Sequence, residues 1–412
     1  MPESACSFAL RDWVDPEAVF LHLFSTAPHA FWLDAGVDAS AGWSWMGTGV
    51  PDAAEQPLRA DAAASGTVSH EAGAFRGGWV GWRSYEGDDA WMRVDRLLAF
   101  DHENRRVFAI GDETLAARAA EAPPAGAVPT ASARGAASAR VTPEGYAERI
   151  EACRERIRLG DAYQLCLTTR FTVPGRFSAL EVFRRLRRAS TSHHAGFVRR
   201  GATALVSASP ERFVEVREGR VHTHPIKGTR PRSADAAVDA ALAEELRADA
   251  KEQAENVMIV DLMRNDLSRV CAPSSVGVDR LLEVETYPHV HQLVSEVSGE
   301  LLPGTTVGGL LDAVFPAGSM TGAPKQSAMQ ILAGLEAAPR GVYSGAFGWI
   351  GDDGSADLAM VIRSVVVEPD AAWVGAGGGI TWRSVAASEV AEVGIKARAP
   401  LAALGAEVPP GW

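Results

Sequence analysis

Apolar residues follow two different periods along this chain, and the switches between them mark its elements. Through about residue 115 the apolar runs are short and punctuated by glycine and tryptophan, as in Phe31-Trp32-Leu33-Asp34, Trp43-Ser44-Trp45-Met46-Gly47 and Gly77-Gly78-Trp79-Val80-Gly81-Trp82. Such runs predict strands and turns rather than helices. From Ala116 to Arg140 the composition shifts to Ala, Pro, Gly and Ser with little to pack, which predicts a helix end running into a mobile linker. The expected organisation is a lobe over 1–115, a linker over 116–141 and a larger domain over 142–412.

Beyond the linker, Thr142-Pro143-Glu144 supplies an N-cap, a proline for the first helical position and an acid in the first turn. Tyr146, Ile150, Cys153 and Ile157 then follow at helical spacing until Gly160 stops the run. Strands are expected over Tyr163 to Val173, Ala204 to Val216 and Val221 to Ile226, then a helix over Ala236 to Met263 with its apolar residues late in the run. Further strands are expected over Gly345 to Ile350, Leu358 to Val367 and Trp373 to Gly375, with a last helix over Ala387 to Ala403. There is no βαβ alternation and no short internal repeat, so the predicted class is α+β with mixed, largely antiparallel sheets.

Composition narrows the function more than the fold. At 412 residues and 47% hydrophobic, the chain can bury a large core. Its formal net charge of -12 argues against a nucleic-acid partner, which would require a basic face, and means that an anionic ligand must meet local positive charge or a metal. Cys6, Cys153, Cys166 and Cys271 are far apart with no C-x-x-C pair, which points to reduced thiols rather than a disulfide or zinc framework. The start lacks a basic, then apolar, leader and no long apolar stretch occurs, so a cytoplasmic protein without a membrane span is expected.

Several motifs exclude chemistry. Gly318-Ser319-Met320-Thr321-Gly322-Ala323-Pro324-Lys325 has the wrong spacing for a phosphate loop, and Pro324 removes an N–H that the cradle needs. Gly375-Ala376-Gly377-Gly378-Gly379-Ile380 fails the dinucleotide fingerprint at its sixth position. H-E-x-x-H and G-x-S-x-G are both absent. What remains is Pro225-Ile226-Lys227-Gly228-Thr229-Arg230, where a proline and a glycine frame one lysine, and two i, i+3 acid pairs, Glu252 with Glu255 and Glu389 with Glu392. Lys227 is either a solvated turn residue or a held nucleophile. Each acid pair is either a solvated helix face, Glu392 pairing with Lys396, or part of a magnesium site completed by a carboxylate-bearing substrate.

Taken together, these blocks resemble the chorismate-utilising enzymes, most specifically the component I type of aminodeoxychorismate synthase. The resemblance spans residues 142 to 403 through Gly160-Asp161-Ala162-Tyr163-Gln164, Ser209-Pro210-Glu211-Arg212-Phe213, Pro225 to Arg230, Glu255 to Asp266, Gly318 to Lys325, Gly341-Val342-Tyr343-Ser344-Gly345 and Gly375 to Glu392. Phe75-Arg76-Gly77-Gly78-Trp79-Val80-Gly81 and Tyr85-Glu86 extend it into the first lobe. It implies a composite sandwich with outer helices, and Mg²⁺ held by Glu255 and Glu392 with Glu252 and Glu389 as a second acidic shell. It also implies a chorismate site of Tyr343, Arg363, Ala376, Gly377, Thr229, Ser319, Thr321, Lys396 and Gln164. Where anthranilate synthases carry a Leu-Leu-Glu-Ser element that supports tryptophan feedback, this chain has Phe31-Trp32-Leu33-Asp34, so tryptophan inhibition is not carried over.

Three positions bear on the reaction. Relatives that add water to chorismate have a lysine at the position of Gln164, and glutamine cannot serve as that base. Anthranilate synthases usually have a small residue where Lys227 stands and put ammonia on C2; a lysine there can occupy C2 itself and leave C4 to ammonia. Many relatives have a histidine in place of Gln292 that is implicated in pyruvate loss, with His289 and His291 as neighbouring substitutes here. The resemblance thus implies amination of chorismate to 4-amino-4-deoxychorismate, a precursor of 4-aminobenzoate and folate or of a specialised metabolite, with Lys227 as nucleophile and Glu211 as general acid. Anthranilate synthase component I, 2-amino-2-deoxyisochorismate synthase and a non-catalytic chorismate-binding protein are the alternatives. No cysteine lies in a Gly-x-Cys-x-Gly elbow, so ammonia is expected from a separate glutamine amidotransferase subunit.

Overall fold

In the strand His29–Asp34 successive side chains enter different cores: Phe31 and Leu33 pack into one, Ala30 and Trp32 into the other. The same alternation runs through Leu165, Cys166 and Leu167, and through Val365, Val366 and Val367. A strand buried on both faces must lie in a middle layer. The computed structural model describes residues 7–64, 71–190, 192, 194–287 and 290–412. Among them, a twelve-stranded and a ten-stranded sheet stack face to face, and their strand pairings are antiparallel. Phe31, Trp91, Leu205, Val214, Phe347 and Val366 belong to the first core, between the sheets. The other face of the larger sheet is covered by the helices Pro143–Arg158, Ala179–Ala189, Lys325–Glu336 and Ala386–Ala403 through Tyr146, Phe183, Leu332 and Val393. This is the expected α+β sandwich with outer helices.

Residues before and after the expected 116–141 linker share both sheets. His29–Asp34 pairs with His194–Arg200 in the larger sheet, and Gly78–Arg83 pairs with Ala346–Gly351 in the smaller. Within the linker, Gly126 O accepts from Arg184 Nη2 at 2.5 Å, Pro129 O accepts from Arg185 Nη1 at 3.0 Å, and Arg134 N donates to Gly405 O at 2.8 Å.

The helix expected after Thr142 forms over Pro143–Arg158, with Thr142 Oγ1 accepting from Gly145 N at 3.2 Å. Four expected elements are instead broken, each at a residue with a physical reason to break it. The stretch 204–216 is two strands in different sheets, Thr203–Ser209 and Arg212–Arg217, because Pro210 cannot donate to a ladder and the chain crosses layers there. The stretch 358–367 divides likewise into Ala356–Met360 and Ser364–Val367, with Arg363 at φ 52° in the turn. Val221–Ile226 is interrupted before Pro225, giving Arg220–Thr223 and Ile226–Pro231. The long helix over 236–263 is two, Ala236–Ala248 and Ala250–Leu267, because Asp249 is extended and its Oδ1 caps the second by accepting from Lys251 N at 2.9 Å and Glu252 N at 3.1 Å. Conversely, the short strand expected at 373–375 runs on through the glycines as Ala371–Ile380.

Candidate active site

The glycine strand forms one wall of a cavity of about 500 Å³. It pairs along one edge with Gln164–Pro174, but on the other edge Ser364–Val367 pairs only as far as Val374, and among the described residues no strand follows. The backbone from Gly375 onward therefore presents an unpaired edge beside the cavity, where N–H groups can meet an anion. A side chain is excluded at Gly375, where a Cβ would lie 2.1 Å from Tyr343 Cγ, and a Cβ at Gly378 would face the acids, 3.3 Å from Glu389 Oε2 and 3.9 Å from both Glu392 Oε1 and Lys396 Nζ.

Lys227 enters the cavity from Ile226–Pro231. The register against Val290–Glu300 slips between Lys227 and Thr229, which makes Gly228, at φ 81°, the extra residue of a bulge. A Cβ on Gly228 would sit 2.7 Å from Leu246 Cδ1, so both backbone strain and packing favour glycine. Lys227 and Thr229 both line the cavity, and the largely buried Lys227 Nζ lies 3.7 Å from Glu255 Oε2.

The two sheet-crossing turns bring in Glu211 and Arg363. Burial pushes the Glu211 carboxyl up to about 7, against a hydrogen bond from Ser319 Oγ at 2.9 Å and the charges of Lys227 and Lys396. Such a group can give up a proton near neutrality. Burial also depresses Arg363 and raises the Tyr343 phenol, both of which line the same space.

Both acid pairs converge, Glu252 and Glu255 from Ala250–Leu267 and Glu389 and Glu392 from Ala386–Ala403. Burial raises Glu252, helped by the charge of Glu255, and burial raises Glu389. Burial acts to raise Glu392 as well, but Lys396 Nζ at 2.7 Å, aided by Lys251 and Lys227, leaves it lowered. Lys396 also donates to Gly377 O at 2.9 Å, tying the acid helix to the glycine strand. The Lys251 ammonium lies 3.8 Å from Glu255 Oε1, and although burial opposes its charge, Glu255, Glu389, Glu252 and Glu392 together raise it. An all-oxygen set whose charge raises a neighbouring ammonium suits a hard divalent ion.

Of the expected site residues, Lys227, Glu211, Tyr343, Arg363, Ala376, Gly377, Thr229, Ser319, Lys396 and the four glutamates line this cavity. Two do not. Thr321 is fully buried and its Oγ1 donates to Ala317 O at 3.1 Å and Gly318 O at 3.3 Å, so it shapes the turn that presents Ser319. Gln164 is buried on the neighbouring strand and packs over Gly379, where a Cβ would come within 2.3 Å of its Nε2. Gln292 lines the cavity, whereas His291 is turned away, with Nε2 3.0 Å from Asp239 Oδ1 and Nδ1 2.9 Å from Thr286 Oγ1. His289 and Cys6 lie outside the described residues. Cys166 and Lys251 also line the cavity and were not anticipated; Cys166 reads as a strand core residue and Lys251 as a solvated helix lysine.

The sequence pattern of the chorismate binding enzymes matches residues 13–402. The chain belongs to the chorismate binding enzyme family. It is 37% identical to an aminodeoxychorismate synthase of Streptomyces pristinaespiralis over 95% of this chain and 64% of that protein, so it spans less than two thirds of that relative. It is also 38% identical to an anthranilate synthase component 1 of Streptomyces coelicolor, over 80% of this chain and 73% of the relative. The crystal structure of anthranilate synthase component I from Streptococcus pneumoniae superimposes with a TM-score of 0.73 at 29% identity, covering 96% of this chain and 92% of that one. Within the chorismate binding family, then, aminodeoxychorismate synthases and anthranilate synthase components are relatives of similar identity to this chain.

Proposed function

We propose that this chain aminates chorismate at C4, giving 4-amino-4-deoxychorismate. The observation that carries the reading is Lys227 Nζ, held in the cavity 3.7 Å from Glu255 and opening onto the same space as Glu211. The free amine of Lys227 bonds to C2, the double bond shifts, and the C4–O bond breaks as Glu211 protonates the departing hydroxyl, which leaves as water. Ammonia bonds to C4 while the C2–Nζ bond breaks, and the proton shed by the entering nitrogen returns to Glu211. Arg363, Tyr343, Thr229, Ser319, Lys396 and the backbone at Ala376 and Gly377 orient the substrate carboxylates. Magnesium fits the carboxylate pairs, with Glu255 and Glu392 as ligands and Glu252 and Glu389 behind them, and when bound it supplies positive charge for a substrate carboxylate. Ammonia comes from a separate glutaminase subunit, with ammonium salt able to replace it; gel filtration with a matching glutaminase should show a complex.

Mass spectrometry of the product formed from chorismate, Mg²⁺ and ammonium salt, with and without a lyase that expels pyruvate, tests the reading. The 4-amino product requires the lyase to become 4-aminobenzoate, whereas direct appearance of anthranilate would replace this reading with that of an anthranilate synthase. Chelation is expected to remove activity reversibly, and calorimetry should show Mg²⁺ binding weakened by roughly ten- to a hundredfold or more in Glu255→Gln and Glu392→Gln. Ser319→Ala removes a hydrogen bond that favours the Glu211 carboxylate, so the alkaline limb of the pH–rate profile should move to higher pH than in the unaltered protein.

A further inference from the structure

The strand Val290–Glu300 carries Gln292 into the catalytic cavity and, four residues on, Glu296 into a second polar cluster. We propose that His222, His224, Asp279 and Glu296 bind a divalent transition metal of the zinc type, at a site separate from the four glutamates. Along an extended strand the four residue steps from Gln292 to Glu296 span about 13 Å.

Donor atoms of His222, Asp279 and Glu296 all lie within 4.8 Å of one another. His222 Nδ1 is 3.1 Å from Glu296 Oε1, and His224 Nε2 is 3.5 Å from the same oxygen. In a tetrahedral site with bonds of about 2.0–2.1 Å, ligand atoms stand about 3.3 Å apart, so these two separations bracket the edge that a zinc-sized ion requires.

The backbone explains the convergence. His222 and His224 are two residues apart and share a face, and His222 pairs across from Ser298, which places Glu296 on that same face of the neighbouring strand. Asp279 comes from the far side of Val290–Glu300, where the register slips between Val278 and Arg280, so it is the unpaired residue of a bulge and its direction is reset. Arg280 Nε donates to Glu296 Oε2 at 2.9 Å and its Nη1 to Glu285 Oε1 at 2.6 Å, which fixes Glu296 by the oxygen the metal does not need and balances the guanidinium charge.

His224 Nδ1, on the ring edge away from Glu296, is buried without a partner. Two imidazoles with carboxylates favour zinc, cobalt or nickel over magnesium or calcium. A bound ion would join three strands and stabilise the folded state by mass action.

The test uses untagged protein with Mg²⁺ in excess to fill the carboxylate pairs. Calorimetry with Zn²⁺ should register one further equivalent, Co²⁺ should give a tetrahedral visible absorption spectrum, and the unfolding temperature should rise with either ion. His222→Ala and Glu296→Gln should lose the equivalent and the spectrum. Asp279 is exposed, so Asp279→Asn should fold regardless and weaken binding at least about tenfold. Absence of a Zn²⁺ equivalent above excess Mg²⁺, or undiminished binding in Asp279→Asn and Glu296→Gln, overturns the site. None of these three readouts depends on chorismate turnover, so the proposed activity and this site stand or fall separately.

Discussion

Replacing Lys227 with alanine is expected to lower ammonium-dependent turnover of chorismate by on the order of 10³-fold or more, because the amine that blocks C2 is gone. Lys227→Arg should not rescue, since a guanidinium stays protonated and does not attack carbon. Intact-mass analysis of the unaltered protein quenched during turnover without ammonia should show an adduct of protein plus substrate minus water, and the alanine variant should show none. Wild-type turnover in Lys227→Ala would remove the nucleophile from the mechanism and favour direct amination. The variant is expected to fold: the bulge is set by Gly228 and by pairing of the backbone to Val290–Glu300, and the Lys227 side chain points into the cavity.

Glu211→Gln should cost about 10²–10⁴-fold in kcat with little change in KM. Glutamine keeps an oxygen to accept from Ser319 but has no proton to deliver to the departing hydroxyl. In the unaltered protein the rate should fall as pH rises through about 7, the point at which the buried carboxyl loses its proton. That limb should vanish in Glu211→Gln, leaving whatever other ionisations remain. An unchanged alkaline limb in the variant would assign it to another group and deny Glu211 the acid role.

Much of this site was legible because it rests on local rules. The frame around Lys227 is written in a proline and a glycine that constrain the backbone wherever they occur, and the structure turns that glycine into a bulge. The i, i+3 spacing of Glu252 with Glu255 and of Glu389 with Glu392 guarantees that each pair shares one side of its helix, whatever the helix packs against. Helix capping at Thr142 and the period-two burial of the strands are equally local. Thr321 was misplaced for the opposite reason: a hydroxyl beside Ser319 satisfies backbone carbonyls of its own turn, a choice made by three-dimensional closure rather than by residue type.

By itself, then, the order of residues determined the framed lysine and the two acid pairs, which follow from contacts within a few positions along the chain, and an α+β class from the order of its periodic segments; the family entered as a resemblance of motif blocks. Only tertiary structure decided where strands change sheets, and those crossings at Pro210-Glu211 and Ile362-Arg363 bring the buried acid and the arginine to the cavity. Apolar alternation reads the same on either side of such a crossing, so the pattern shows one continuous strand. Burial, which raises Glu211 to about 7, likewise exists only once distant segments have closed around it.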